Sequence, residues 1–288
     1  MKLKNTYTSC QDQSVNFVFD NMLEARFVRR VDKYFICYLS SHTGCNKACR
    51  FCHLTQTGQT DMTDTTVTQY IEQAEHVLEY YATTERPSER VNFNFMARGE
   101  VLANQIFLKN ANIIVSKLDA LAKKYGLSAY FNISTIMPTE ASDVNLSTLI
   151  SDEFEHTYYY SLYSVDEQFR KRWLPKAMSV DLALEKLKAW QVTTGRTLAL
   201  HWTFIEGKND SETDVTNIVE KIKEYDLECK FNLVRYNPYS EKQGAESSPE
   251  VLERSFNIIA KELNNPDSRM VPRVGFDVKA SCGMFVSE

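Results

Sequence analysis

The sequence predicts an α/β fold in which six parallel strands, each followed by a helix, form a partial barrel. Segments rich in β-branched and aromatic residues alternate about six times with amphipathic helical segments along the 288 residues. Such alternation implies a parallel sheet with right-handed crossovers, and sheets of this size curl into full or partial barrels. Polar residues and glycine follow several predicted strands, and barrels of this kind carry their chemistry at the carboxyl ends of the strands.

Length and composition are consistent with one large globular unit. The chain is 43% hydrophobic and 25% charged, which is close to the globular average and argues against disorder. Because the sequence contains no run of about 18 apolar residues and no apolar amino terminus, we expect no membrane span and a cytoplasmic location. Seven cysteines, an odd number, indicate a reducing compartment and metal chemistry rather than a disulfide framework. With a formal net charge of −5, any nucleic-acid binding must come from local basic patches, such as 26–33 and 170–172, whose default interpretation is a solvated face.

The amino-terminal part of the chain is predicted to enter the barrel through strands. Residues 1–23 are polar and lack clear periodicity, so we expect a short lead-in with one strand or turn. Segment 25–39 is rich in Val, Phe, Tyr and Ile, which predicts one or two strands. After a cysteine-rich loop, Thr63 or Asp64 can cap a helix whose apolar residues recur at three- or four-residue spacing over 67–81.

The rest of the chain alternates between predicted strands and helices. Strands are predicted at 91–96, 129–134, 157–162, 197–204, 230–236 and 270–276. Helices are predicted at 105–124, 141–150, 180–194, 211–225 and 249–263. The cysteine-rich loop therefore follows the first barrel strand, where we expect active-site residues.

Three cysteines lie on that one short loop. Cys45, Cys49 and Cys52 have the spacing Cys-x3-Cys-x2-Cys. Three thiolates can hold three irons of a [4Fe–4S] cluster and leave the fourth iron free to bind a substrate or cofactor. Two other interpretations remain open: a structural zinc site with His42 or His53 as fourth ligand, and three unrelated reduced thiols.

Small or polar residues follow four of the predicted strands. A glycine before a carboxylate lets the backbone approach a ligand, and the carboxylate can bind an ammonium group. Hydroxyls at strand ends can equally cap helices, and a glycine can simply form a turn. Each signal is weak alone, but a barrel would bring them into one ring. These candidate binding residues are Gly99, Glu100, Ser134, Ser161 and Asn237.

Two further cysteines are candidates for chemistry. Cys37 ends the first predicted barrel strand, eight residues before Cys45. Cys282 lies near the carboxyl terminus between small residues, as in a mobile reactive loop. The alternative for each is a buried and inert thiol.

The residues together resemble a known family. The loop spacing, with Phe51 before Cys52, resembles the cluster loop of radical S-adenosylmethionine (SAM) enzymes. The order of the candidates from Glu24 to Cys282 is similar to that in RlmN/Cfr-type RNA methyltransferases, over nearly the whole chain. The resemblance implies an α/β partial (β/α)6 TIM-like barrel of the radical SAM type over 24–288, with a reactive-cysteine tail.

The resemblance also implies a role for each candidate. The [4Fe–4S] cluster would be ligated by Cys45, Cys49 and Cys52. Contacts to SAM would come from Gly99, Glu100, Ser134, Ser161, Leu162 and Asn237. Cys282 would accept a methyl group, Cys37 would resolve the intermediate through a disulfide bond, and Glu24 would transfer a proton.

The implied activity is methylation of adenosine in ribosomal RNA, transfer RNA or both, and carbon 2 of the base is the expected position. In the family scheme, a cysteine thiolate takes the methyl group of one SAM molecule, and a radical generated from a second SAM activates it for attack on the electron-poor carbon. The implied partners are an RNA substrate and an electron donor such as flavodoxin or ferredoxin. The enzyme would then act in rRNA or tRNA processing.

Several differences from the family pattern support other hypotheses. Only 23 residues precede Glu24, where family members carry an accessory amino-terminal domain. The segment between Cys37 and the cluster loop is one residue longer, Val101 replaces a proline, and Tyr163 replaces a typical histidine. The second hypothesis is a divergent radical SAM enzyme acting on a different, non-ribosomal or small-molecule substrate. The third is a non-enzymatic iron–sulfur or zinc protein.

Overall fold

A computed structural model describes residues 1–287 of the protein, in which ten strands form one sheet in chain order and eight α-helices accompany it. The strands are β1 (Leu3–Thr8), β2 (Gln13–Phe19), β3 (Glu24–Arg29), β4 (Tyr34–Leu39), β5 (Arg90–Phe95), β6 (Ser128–Thr135), β7 (His156–Tyr160), β8 (Leu198–Trp202), β9 (Cys229–Leu233) and β10 (Arg269–Met270). The helices are α1 (His53–Gln56), α2 (Val67–Ala82), α3 (Gln105–Lys124), α4 (Leu146–Leu149), α5 (Glu167–Trp173), α6 (Val180–Thr194), α7 (Glu212–Glu224) and α8 (Pro249–Leu263). None of these helices, which are those of residues 1–287, is long and apolar enough to cross a membrane.

The sheet has an antiparallel part and a parallel part. Strands β1 to β4 pair with their neighbours in antiparallel fashion. From β4 to β10 every pairing is parallel, with helices in the connections. The alternation of strands and helices predicted from the sequence is thus confirmed, and the parallel strands β4 to β9 form the partial barrel.

The two faces of the barrel strands have different surroundings. In β4, Phe35, Cys37 and Leu39 belong to the hydrophobic core that the helices cover. Ile36 and Tyr38, which alternate with them, line a cavity on the inner face. Because successive residues of a strand point to opposite faces, this division is a direct consequence of strand geometry.

The carboxyl-terminal tail crosses from β10 to the inner face of β2 and β3. Asn16 of β2 donates a hydrogen bond to the carbonyl of Val278 (3.1 Å). Arg26 of β3 donates to the carbonyl of Met284 (2.7 Å). These contacts, more than 250 residues apart in sequence, hold the tail against the barrel and close the cavity on that side.

Some predicted elements differ from those in the structure. Segment 1–23 forms two strands rather than one strand or turn, and β1 escapes sequence detection because it is exposed throughout and needs no apolar face. The predicted strand 270–276 is reduced to β10, since Pro272 has no amide hydrogen for a ladder. Segment 141–150 forms only the short α4, α5 was not predicted, and Thr66 caps α2 instead of Thr63 or Asp64.

Candidate active site

A cavity of about 200 Å³ occupies the inside of the partial barrel. Many of the residues singled out in the sequence line it: Cys45, Cys49, Cys52, Gly99, Glu100, Ser134, Ser161 and Cys282. Four others do not line it: Glu24, Cys37, Leu162 and Asn237. The fold therefore brings most of the predicted ring together and gives the remaining residues other positions.

The cysteine loop follows β4 in a tight conformation. Gly44 is required there, because a Cβ atom on it would lie 2.5 Å from the carbonyl oxygen of Asp61. Burial and the nearby Cys52 raise the pKa of Cys45 to about 12, and burial raises the pKa of Cys52 to about 11. Such thiols remain protonated at neutral pH unless a metal stabilises the thiolate, which is the form that binds metals.

The histidines proposed as a fourth zinc ligand have other partners. His42 accepts a hydrogen bond from the Glu100 amide at Nδ1 (3.4 Å), and its Nε2 lies 3.1 Å from the Asp64 carboxylate. His53 Nε2 lies 3.0 Å from the carbonyl oxygen of Asn237. Across residues 1–287, no three His, Cys, Asp or Glu side chains converge as ligands of a metal ion. Each of the two histidines therefore has a partner other than the loop cysteines.

Gly99 and Glu100 form a close junction after β5. Gly99 has a φ of +95°, and a Cβ atom on it would lie 2.4 Å from Nδ1 of His42. The buried Glu100 carboxylate accepts hydrogen bonds from the amides of Leu102 (3.2 Å) and Ile136 (3.0 Å). Burial raises the pKa of Glu100 to about 7, against an ordinary value of 4.5. A cation bound in the cavity would favour the ionised form of this carboxyl.

The residues at the ends of β6 and β7 differ in where their side chains lie. Ser134 and Ser161 line the cavity. The Leu162 side chain is fully buried in the core, and its carbonyl accepts a hydrogen bond from Arg170 (2.8 Å). Tyr163, which has a φ of +60°, stacks on Phe51 of the cysteine loop with ring centroids 4.3 Å apart. This stack joins the loop to the rim of the cavity.

Cys282 is held at the cavity by the residues around it. Asn237 Nδ2 donates to the Cys282 carbonyl (2.9 Å) and to Ser281 Oγ (3.1 Å), and the His53 amide donates to the Gly283 carbonyl (2.9 Å). The Cys282 side chain is solvent-accessible on the cavity side, yet the surrounding protein desolvates its thiolate and raises its pKa to about 11. Asn237 therefore positions the tail segment that carries Cys282 and does not itself line the cavity.

Glu24 lies outside the cavity, in a buried ionic cluster. Its carboxylate accepts hydrogen bonds from Arg98 Nε (2.9 Å), Arg26 (2.8 Å) and Asn16 (3.1 Å). It also accepts from the amide of Val286 in the tail (3.0 Å). With four donors on its two oxygens, this carboxylate anchors the tail. Arg98 was missed as a functional residue, although an arginine at the end of an apolar strand was a visible signal.

Cys37 does not face Cys282. It is fully buried on the helix-covered face of β4, where burial raises the pKa of its thiol well above the ordinary value. Tyr38 occupies the cavity-facing position instead. The extra residue between Cys37 and Cys45 was the sequence signal for this orientation of Cys37, since a one-residue shift in a strand moves a side chain to the other face. The cysteines of residues 1–287 are all free thiols, so the expected disulfide bond is not formed in this structure.

Comparison with known proteins finds relatives that share one description. No protein-family model matches the chain. A probable dual-specificity RNA methyltransferase RlmN of Lachnoclostridium phytofermentans is 25% identical over 96% of this chain and 74% of its own length. RlmN of Wolinella succinogenes is 26% identical over 88% of this chain and 66% of its own length. RlmN of Rhodospirillum rubrum is 28% identical over 95% of this chain and 62% of its own length.

The fold agrees with this relationship. A radical SAM methyltransferase from Sphaerobacter thermophilus superposes on the whole chain and on 81% of its own length, with a TM-score of 0.82 and 18% identity. The chain is a radical SAM enzyme related to the RlmN methyltransferases. This relationship implies a [4Fe–4S] cluster and SAM as cofactors. The donor set of this radical SAM enzyme fits them, because three thiols of one loop, a buried carboxylate and two serines meet at one cavity.

Proposed function

We propose that this radical SAM enzyme methylates adenosine at carbon 2 in ribosomal or transfer RNA, and that Cys282 carries the methyl group. The observation that supports the proposal is the position of Cys282, which lines the same cavity as Cys45, Cys49 and Cys52. The RNA substrate comes from the relatives, whose names describe dual-specificity RNA methyltransferases. The chain spans only 62–74% of the length of the three relatives compared above.

The cavity residues divide the work between cofactor binding and methyl transfer. A [4Fe–4S] cluster on the three loop cysteines, together with SAM, would supply the methyl group and the radical chemistry. Glu100 would bind a cationic group of SAM, with Ser134 and Ser161 as hydrogen-bonding neighbours; the support is that all three line the same cavity. The stack of Phe51 on Tyr163 would keep the cluster loop against that rim.

Cys282 has to lose its proton before its sulfur can accept a methyl group, because the thiolate is the nucleophile. Burial raises the pKa of the thiol to about 11, and the positive charges of Arg26 and Arg30 act in the opposite direction. Asn237 fixes the backbone of this loop through the Cys282 carbonyl. We therefore expect methyl loading of Cys282 to become faster as the pH rises.

Release of the product is expected to differ from the family scheme. Among the cavity-lining residues, Cys282 is the sole cysteine outside the cluster loop in the described part of the chain. Cys37 lies behind the sheet, so it is not placed to attack the sulfur of Cys282. We expect the reaction to be independent of Cys37. The bond between the Cys282 sulfur and the product would then be broken by a thiol from solution, which attacks that sulfur and forms a mixed disulfide with Cys282.

A second candidate function is the same chemistry on a small polar molecule. It is favoured by the lining of the cavity, which contains several asparagine and arginine side chains in place of a purely apolar filling. The cofactor-binding and methyl-carrying residues would be those named above. The two candidate functions differ only in the substrate that receives the methyl group from Cys282.

The decisive experiment is mass spectrometry of the enzyme purified from cells, mapped to the peptide that contains Cys282. The mass of a methyl or methylene group on that peptide is expected in the wild type and in Cys37→Ala. An unmodified Cys282 in protein that still cleaves SAM contradicts the methyl-carrier role.

The substrate is tested separately in cells that lack their own carbon-2 methylation. Nucleoside analysis of rRNA and tRNA should show 2-methyladenosine with the wild type and not with Cys282→Ala. Modified Cys282 without any 2-methyladenosine would support the small-molecule candidate.

A further inference from the structure

Below the rim, the inner faces of the barrel strands form a polar cavity floor. We define this floor by Asn92 of β5, Asn132 of β6, His201 of β8, Asn232 of β9 and Arg30, which follows β3; all five line the cavity. The strand residues lie within their strands rather than in the loops that carry the cysteines, Glu100 and Ser161. The interiors of comparable barrels are usually filled by branched aliphatic side chains. A polar floor therefore needs a specific explanation.

The floor carries polar atoms without partners. In residues 1–287, the Oδ1 atoms of Asn92, Asn132 and Asn232 are buried and accept no hydrogen bond. The same holds for Nδ1 of His201, and Nε of Arg30 donates none. A buried polar group left unpaired costs about 1–3 kcal/mol, so several in one cavity indicate that something else satisfies them.

The floor also carries an uncompensated positive charge. Three other cavity arginines have acidic partners: Arg26 pairs with Glu24, and Arg235 and Arg273 pair with Glu246. Arg269, which also lines the cavity, donates a hydrogen bond to the Tyr34 hydroxyl (3.4 Å). Arg30 has no ion pair with any acidic residue in the described chain. An unpaired guanidinium in a cavity favours a ligand with a phosphate or carboxylate, which it can bind through two parallel hydrogen bonds.

The remaining floor groups are suited to a heterocyclic ring. Asparagine amides present a donor and an acceptor side by side, which matches the edge of a nucleobase. Tyr159, whose ring lies 5.8 Å from the ring of His201, provides an aromatic surface in the same cavity. Burial and the charges of Arg30 and Arg269 lower the pKa of His201 to about 4, so this imidazole is neutral near pH 7. Flipped bases are bound by this combination of edge hydrogen bonds and aromatic contacts.

We propose that the cavity floor binds one nucleotide, with its phosphate on Arg30 and its base on the asparagine amides. This site is separate from the rim residues assigned to SAM, and it rests on the proposed function only in that the bound base would have to reach Cys282. A free nucleotide and a single nucleotide unit of an RNA chain offer the same chemistry, and the experiment distinguishes them.

The test measures binding to the anaerobically reconstituted enzyme by isothermal titration calorimetry. The probes are adenosine 5′-monophosphate and a short single-stranded oligoadenylate. Arg30→Gln should weaken binding of the effective probe by about tenfold or more, the loss expected for a charge-assisted hydrogen bond. The matched control is Arg86→Gln, because Arg86 is exposed and lies 4.0 Å from Asp32 outside the cavity.

A second variant separates ligand binding from folding. Asn232→Leu removes a buried amide whose Oδ1 has no partner, so it should weaken probe binding while the melting temperature of the ligand-free protein is unchanged or higher. If Asn232 were merely structural, this substitution would lower the melting temperature and leave probe binding unchanged. SAM binding should be the same in the wild type and in both variants.

The outcomes separate the sources of the ligand. Binding of the mononucleotide that depends on Arg30 identifies a free nucleotide, and Arg30-dependent binding of the oligonucleotide alone identifies an RNA nucleotide. The proposal is overturned if neither probe binds, or if the wild type and Arg30→Gln bind equally well. Water would then be the partner of the polar floor residues. The mass of Cys282 is measured independently, so failure of this site and failure of the methyl-carrier function are distinguishable.

Discussion

The buried carboxylate of Glu24 gives the sharpest prediction about how the tail is held. Glu24 and Arg98 are both inaccessible to solvent, and Arg26 is nearly so. Replacing Glu24 with glutamine keeps the size of the side chain and removes the negative charge. Two guanidinium groups then remain buried without a counter-charge, and the glutamine NH2 group faces donors where the carboxylate accepted hydrogen bonds.

The expected loss of stability follows from this arrangement. Removing one member of a buried ion pair costs about 3–5 kcal/mol, because the remaining charge is left uncompensated. Such a loss is a large fraction of a typical unfolding free energy of about 5–15 kcal/mol. The amide of Val286 also loses its acceptor, so Glu24→Gln should release the end of the tail as well as destabilise the barrel.

The assay combines urea unfolding with limited carboxypeptidase digestion of the native protein. Glu24→Gln should unfold at a clearly lower urea concentration and lose its tail residues faster than the wild type. Glu89→Gln is the matched control, since Glu89 and Lys33 form an exposed pair at 3.9 Å that should be worth at most about 1 kcal/mol. If Glu24→Gln is as stable as the control and its tail is equally resistant, the anchoring role is wrong and a proton-transfer role becomes the better explanation.

Three further predictions concern the cavity and β4. Gly99→Ala should lower the free energy of unfolding in urea by about 1–3 kcal/mol, because the new Cβ atom would clash with His42 at a position of positive φ. An unchanged urea midpoint would contradict the close approach of Gly99 to His42. Burial raises the pKa of Glu100 from 4.5 to about 7, so the folded apo protein binds this proton more tightly than the unfolded chain does. The folded state therefore loses stability as the pH rises from about 4.5 to 7. Glu100→Gln should remove that loss when unfolding is measured at pH 5 and pH 8, and an identical pH dependence would refute the assignment. Alkylation of the apo protein by iodoacetamide should modify Cys282 progressively faster as the pH approaches 11. The buried Cys37 should remain unmodified until the protein unfolds. Equal labelling of both cysteines would show that β4 has another register.

The barrel was predictable from the sequence because its signals are local. Each strand or helix of the parallel part carries its own periodicity, and alternation along the chain leaves few possible topologies. The edge strand β1 was missed for the converse reason, since it is exposed on both faces and has no apolar pattern. The carboxyl-terminal segment was overestimated because Val271 and neighbouring apolar residues suggested a strand that Pro272 cannot continue.

The grouping of strand-end residues was also predictable, because parallel strands place their carboxyl ends at one edge. This rule is sufficient for Glu100, Ser134 and Ser161, which line one cavity. It is insufficient for Leu162, because a strand-end residue can point either into the cavity or into the core. The polar floor was not predicted, since a single asparagine inside a strand has no distinguishing sequence signal.

The sequence by itself determined the strand–helix order and the spacing of Cys45, Cys49 and Cys52, since both depend on residues close together in the chain. Only the tertiary structure decided that Cys37 lies in the core, because the side to which a strand residue points depends on which face the helices cover. Only the tertiary structure decided that the Glu24 carboxylate holds the tail, since its partners come from distant parts of the sequence. Local spacing can place ligands on one loop, whereas charge compensation and orientation require the folded chain.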